Sequence, residues 1–172
     1  MAVLISGGMG YIGSHTAVEL LNGGYEVVIA DNLCNSKEIV KERIEKITGK
    51  TTKFYNVDLT QEEETEKIFK ENNIDSVIHF AALKAVGESV EQPLEYYYNN
   101  LTSALVMLKV MKKYNCKNFV FYDGPIYANA KPGIHHVFAK TIKDSICKYR
   151  TMKGNRVLRK IGLDTHGLPI EV

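Results

Sequence analysis

Short apolar runs alternate with helical patterns from one end of the chain to the other. Val3–Ser6, Glu26–Ala30, Thr52–Asn56, Ser76–Phe80, Asn118–Tyr122 and Arg156–Ile161 are mostly short, bounded by turn residues and rich in Val, Ile and Phe, which predicts buried parallel strands. Between them a first helix is predicted from about Gly10 to Asn22, stopping at Gly23-Gly24. A second starts at Ser36, sets Ile39, Val40, Ile44 and Ile47 on one face, and ends at Gly49. A third opens on Thr60-Gln61-Glu62-Glu63, read as a capping box in which Thr60 and Glu63 satisfy each other's amides. A fourth follows Pro93 and places Tyr97, Leu101, Leu105 and Leu108 on one stripe. A fifth runs from about His136 to Met152, with Ile142, Ile146 and Tyr149 on one face. Strict alternation of strand and helix predicts a three-layer α/β fold, and right-handed crossovers favour a doubly wound parallel sheet of about six strands in the order 3-2-1-4-5-6. No linker or repeat interrupts the pattern, so residues 1–172 are expected to form one domain.

The first strand runs into Ser6-Gly7-Gly8-Met9-Gly10-Tyr11-Ile12-Gly13, which opens the first helix. In this strand–turn–helix setting the glycines have separate tasks: Gly7 allows the tight turn, Gly10 lets a pyrophosphate approach the backbone, and Gly13 lets the helix pack on the strand. The diphosphate would meet the amides and positive end of the helix. Asp31 ends the second strand, where a carboxylate accepts hydrogen bonds from ribose hydroxyls and repels a 2′-phosphate. The expected ligand is therefore NAD rather than NADP, held in a Rossmann fold.

The spacing Gly-x-x-Gly-x-x-Gly resembles that of extended short-chain dehydrogenases/reductases. Further stretches narrow the likeness: Asp31-Asn32-Leu33-Cys34-Asn35-Ser36, Asp58-Leu59, His79-Phe80-Ala81-Ala82-Leu83-Lys84-Ala85-Val86-Gly87-Glu88-Ser89 and Pro93-Leu94-Glu95-Tyr96-Tyr97-Tyr98-Asn99-Asn100. Residues 1 to about 121 resemble the UDP-glucose 4-epimerase family. The resemblance implies that Tyr11 and Ile12 cover the pyrophosphate. It implies that Asp31, Asn32, Asn35 and Ser36 hold the adenosine ribose and phosphate, that Asp58 and Leu59 flank adenine, and that Phe80, Ala81, Ala82, Lys84 and Asn99 line the nicotinamide side. Where that family continues into a serine-rich catalytic stretch, Phe121 leads here into Tyr122-Asp123-Gly124-Pro125. The family's Tyr-x-x-x-Lys base has a formal match in Tyr149 and Lys153. Tyr149, however, lies 13 helical steps from His136, which puts it roughly 20 Å from the ligand edge. It is expected to face the core. The family's UDP-sugar domain has no counterpart, so no catalytic residue is assigned.

From about residue 119 the likeness changes. Phe119-Val120-Phe121-Tyr122-Asp123-Gly124-Pro125, Lys131-Pro132-Gly133-Ile134-His135-His136, Thr141-Ile142-Lys143-Asp144 and Gly162-Leu163-Asp164-Thr165-His166-Gly167-Leu168-Pro169 resemble isoleucyl-tRNA synthetases. Pro132–His136 stands at the position of a class I HIGH signature, whose histidines contact ATP phosphates in that family. The family's tryptophan is Leu163 here, and its second lysine signature and its tRNA-binding and editing domains have no counterpart, so aminoacylation is not expected. Two unrelated likenesses in one chain imply an engineered or selected chimera, in which the second segment supplies the fifth helix and sixth strand of the sheet.

Charge follows the same division. Residues 1–122 hold 13 Lys/Arg against 16 Asp/Glu, and residues 123–172 hold 9 against 4. A basic segment suits a nucleic-acid partner or, as favoured here, a solvated helix face. Cys34, Cys116 and Cys147 have neither paired nor metal-type spacing and are read as small buried residues in a reducing, cytoplasmic setting. Adjacent His135 and His136 make no zinc site. No apolar run approaches ~20 residues, so no membrane span is expected, and the N-terminus is not signal-like. The expected function is NAD(H) binding without efficient catalysis. Residual epimerase or oxidoreductase activity, and a folded scaffold or weak nucleotide- or RNA-binding module, are the alternatives. Monomer and dimer are both open.

Overall fold

The computed structural model describes residues 2–116, 118–122, 126–127, 144, 147–153, 159–160 and 163–164. Two compact units share the chain, Met1–Phe119 and Val120–Val172.

The first unit is built from β1 (Ala2–Ser6), α1 (Tyr11–Asn22), β2 (Glu26–Asp31), α2 (Ile39–Thr48), β3 (Lys53–Asn56), α3 (Glu62–Glu71), β4 (Ile74–His79), α4 (Val86–Glu91) and α5 (Pro93–Lys113). Its strands lie in the order β3-β2-β1-β4, all parallel. This is the first part of the doubly wound order expected from sequence. Ser6 stands opposite both Ala30 and His79, and Asp31 opposite Asn56. The carboxyl ends are therefore flush, and every loop that follows a strand emerges along one edge.

Alternation along the strands builds two cores. Leu4, Val28, Ala30 and Val77 face Ile68 and Phe69 of α3 and Met107, Val110 and Met111 of α5. Ile5, Val27 and Ile29 face Ala17 and Leu21 of α1 and Ile44 of α2. Adjacent strand residues are thus buried on opposite faces, which makes the unit three-layered and explains strands that read as continuous apolar runs. The glycine stops work as expected: Gly24 and Gly49 take the left-handed conformation, at φ +85° and +65°.

Several local expectations fail for identifiable reasons. Thr60 and Glu63 form no capping box, because the side chain of Gln61, the residue before α3, makes no cap and Thr60 turns back to Asp58. Both the Thr60 N–H (2.9 Å) and its hydroxyl (2.8 Å) donate to Asp58 Oδ1. In α5, Tyr97, Leu101 and Leu105 of the predicted core stripe are exposed, and the buried positions are Tyr96, Ser103, Met107, Val110 and Met111. The helix carries two apolar stripes. The one with small Ser103 and flexible methionines fills the space over the sheet. In α2, Ile44 is buried and Val40 half-buried, while Ile39 and Ile47 are exposed. Cys34 is exposed and Cys147 half-buried; Cys116 alone is buried, and its thiol donates to the Asp75 carbonyl (3.1 Å).

One polar cluster ties α3 to α5. Glu66 accepts from Lys113 Nζ (2.9 Å), Lys70 Nζ (3.0 Å) and the Tyr114 hydroxyl (2.9 Å). Lys113 above all, then Lys70 and Tyr114, draw its carboxyl down to about 2.

β5 (Asn118–Tyr122) crosses the division, and in the second unit its Phe121 and Tyr122 pair in parallel with β7 (Arg159–Lys160). This is the neighbour relation expected of the fifth and sixth strands, although only two residues of the expected Arg156–Ile161 run are described as strand. A second parallel pair, β6 (Ile126–Tyr127) with β8 (Leu163–Asp164), was not anticipated. Residues 147–152 are helical, while the expected helix start at His136 and its Ile142 and Ile146 lie outside the described residues. Tyr149 is about half exposed, with Lys153 Nζ 5.8 Å above its ring, so it does not face a core.

Because Glu66 has a lower pKa folded than unfolded, its contribution is complete above ~4.5 and is lost as pH falls toward 2. Glu66→Gln should lower the urea midpoint at pH 7 and leave stability near pH 2 almost unchanged, as read from denaturation curves across that range.

Candidate dinucleotide cradle

The carboxyl edge of the first unit begins with the β1–α1 turn. Gly7 sits at φ +69°, and its N–H donates to the Ala30 carbonyl (2.8 Å). A Cβ at Gly7 would stand 2.7 Å from the backbone nitrogen of Ala81, and one at Gly13 would stand 2.3 Å from the Gly7 carbonyl oxygen. Turn, helix and β4 edge therefore meet backbone to backbone. At Gly10 a Cβ would be only 3.3 Å from the Gly7 oxygen, a milder crowding.

Helix α1 starts at extended Gly10 with no side-chain cap and no acidic residue in its first turn. Its first amides and positive dipole end are left to an external acceptor. Tyr11 is 80% and Ile12 54% exposed, so both flank this end from solvent.

Asp31, buried at the end of β2, holds the turn in place. Its Oδ2 accepts the Met9 N–H (3.0 Å), and its Oδ1 accepts the Leu33 N–H (2.9 Å) and the Ser36 hydroxyl (2.9 Å). Leu33 takes φ +58°, a conformation costly for a branched side chain and stabilised here by that hydrogen bond. Asn32 and Asn35 are exposed beside it, and Asn32 Oδ1 accepts the Cys34 N–H (3.2 Å). The β3–α3 segment reaches the same edge, where the Val57 N–H donates to the Asp31 carbonyl (3.2 Å). Asp58 follows, with its Oδ1 engaged by Thr60, whereas the Leu59 side chain is spent in the core.

On the other side of the turn, the Phe80 N–H donates to the Ser6 carbonyl (2.9 Å) and the Ala81 N–H to Ser6 Oγ (3.4 Å). Ala82 and Lys84 are exposed, and Asn99 is half-buried on α5. The edge thus gathers Gly7, Gly10, Tyr11, Ile12, Gly13, Asp31, Asn32, Asn35, Ser36, Asp58, Phe80, Ala81, Ala82 and Lys84 along four strand-to-helix connections. Three supporting residues were missed as site elements: Ser6, His79 and Asn100. All three stood inside the motifs, but what they touch depends on distant segments. Ser6 Oγ and His79 Nδ1 are hydrogen-bonded at 2.7 Å, and loss of hydration lowers the His79 imidazole to about 4. His135, His136 and the 123–125 segment lie outside the described residues. Among the described residues no His/Cys/Asp/Glu group could hold a metal, and no helix is long and apolar enough to cross a membrane.

This architecture defines an α/β protein with a glycine-rich nucleotide-type turn. Residues 4–124 match the family described as GDP-mannose 4,6 dehydratase, and the chain belongs to that family. Its curated relatives include UDP-glucose 4-epimerases of Haemophilus influenzae, 60% identical over 132 residues (76% of this chain, 39% of the relative), and of Klebsiella pneumoniae, 48% identical over 137 residues (80% of this chain, 99% of that shorter sequence). The chain spans roughly two fifths of the first of these. Similar solved structures include the Bifidobacterium longum UDP-glucose 4-epimerase in complex with NAD+ and UDP (TM-score 0.77, 44% identity, 89% of this chain and 50% of that one). They also include the Stenotrophomonas maltophila enzyme with bound NAD and formylated UDP-arabinopyranose (0.78, 35%, 94% and 51%). Residues 102–172 also match the class I tRNA synthetase family (I, L, M and V).

Two outcomes follow from this geometry. Gly13→Ala forces a backbone contact that no side chain can relieve, so it should cost a few kcal/mol, read as a lower Tm. For His79 the folded value of about 4 lies below the usual 6.5, so between them the unfolded chain binds a proton that the native state does not. Stability should be full above 6.5 and fall by up to about 3 kcal/mol as pH drops to 4. His79→Gln should remove that slope in denaturation measured against pH.

Proposed function

We propose that this chain binds NAD(H) at the carboxyl edge of its first unit and carries no complete catalytic site. The observation that supports this most directly is the uncapped α1 N-terminus beside Asp31, packed so closely that Gly7 and Gly13 admit no side chain. A diphosphate suits the first-turn amides, and the Asp31 carboxylate suits ribose hydroxyls. Asp31 already accepts three hydrogen bonds. An ionised carboxylate has about four acceptor positions, so capacity remains for a hydroxyl. Phe80, Ala81, Ala82, Lys84 and Asn99 would line the other half of the ligand. When bound, NAD supplies hydride transfer at its nicotinamide ring.

The reading without catalysis rests on the chain's own residues. Tyr122-Asp123-Gly124-Pro125 stands where the epimerase family carries a catalytic serine stretch. We read residues from about 119 onward as a fragment of class I synthetase type, joined to an epimerase-type segment in an engineered or selected hybrid. The family match over 102–172 supports this reading. In it, residues 1–172 fold as a single cooperative domain.

Denaturing the purified protein and assaying the supernatant chromatographically for NAD(H) tests the proposal. Near-equimolar release, one cooperative melt, and no nicotinamide reduction on adding UDP-glucose are expected. Reduction would instead support residual epimerase chemistry. No nucleotide, together with a melt that NAD leaves unchanged, would overturn the proposal in favour of a folded scaffold.

A further inference from the structure

Asn100, half-buried on α5, binds in two directions. Its Oδ1 accepts the Leu83 N–H (2.8 Å) and the Asn99 Nδ2–H (3.0 Å), and its own Nδ2 donates to the Leu83 carbonyl (2.9 Å). A carboxamide that meets both backbone groups of one residue acts as a strand partner would. Leu83 needs one, because residues 80–85 join β4 to α4 without helix or strand structure. The segment is pinned at its start, where Phe80 and Ala81 bond Ser6, and again at Leu83. Ala82 lies between these anchors, and Lys84 directly follows the second.

The same Oδ1 engages the amide nitrogen of Asn99. That contact turns Asn99 Oδ1 away from Asn100, where it can accept a hydrogen bond from a ligand amide. One side chain therefore sets a loop and a helix residue together. We propose that Asn100 is the positioning residue of the nicotinamide half of the site, coupling the Ala81–Lys84 backbone to the orientation of Asn99 so that both meet a carboxamide-bearing ring. The proposal rests on the reading of this edge as an NAD cradle, and it assigns Asn100 no part in holding the adenosine half.

Asn100→Ala and Asn100→Asp test it, with NAD and ADP-ribose titrated into each protein and Leu83 amide exchange followed by NMR. The alanine variant should bind NAD about tenfold more weakly, bind ADP-ribose within about twofold of the parent, and exchange Leu83 faster. The aspartate variant keeps the acceptor for Leu83 and Asn99 but cannot donate to the Leu83 carbonyl, so it should fall between. Equal losses for both ligands with a matching fall in Tm would reduce Asn100 to a structural residue and overturn the proposal. Unchanged NAD affinity would overturn it while leaving the NAD reading intact. A parent protein that binds neither ligand would overturn the NAD reading, and this proposal with it.

Discussion

The site depends on one constraint, the approach of three backbone segments with no side chain between them. Gly7 abuts Ala81, and Gly13 abuts Gly7, at distances where a Cβ would collide with main-chain atoms. This brings the end of β1, the start of α1 and the end of β4 to a common point. The first-turn amides of α1 are then presented at the strand edge, and Asp31 fastens the turn to β2 through the Met9 N–H. Loosening the contact would separate the helix end from the carboxylate.

The frame around that point is stiff for a simple reason. The two central strands, β1 and β2, bury alternate residues in opposite cores, so both helical layers are fixed to the same pair of strands. Glu66 adds a polar clasp between α3 and α5 on one side. The same helix, α5, carries Asn99 and Asn100 nearer its start.

The two family matches overlap between residues 102 and 124, across the second half of α5 and the whole of β5. An amphipathic helix leading into a short apolar parallel strand is common ground for unrelated doubly wound proteins. The boundary between the two compact units falls in the same strand, between Phe119 and Val120.

The alternation of elements from β1 to β4, the strand order of the first unit and the glycine turn were legible in the sequence, because each is set by local periodicity and by backbone demands that few residue types can meet, whereas the short α4 ahead of α5 was not anticipated. The ends of β1 and β2 and the course of α1 were legible for the same reason. Tertiary structure decided what local pattern leaves degenerate. Two apolar stripes on α5 satisfy the same helical period, and only the shape of the space above the sheet selects Tyr96, Ser103, Met107 and Met111 over Tyr97, Leu101 and Leu105. Thr60 had two hydrogen-bonding choices, and the fold gave it to Asp58. Ser6 with His79, and Asn100 with Leu83, join residues 73 and 17 positions apart. Sequence spacing carries no trace of such pairs, because they exist only once the sheet has brought its strand ends to one edge.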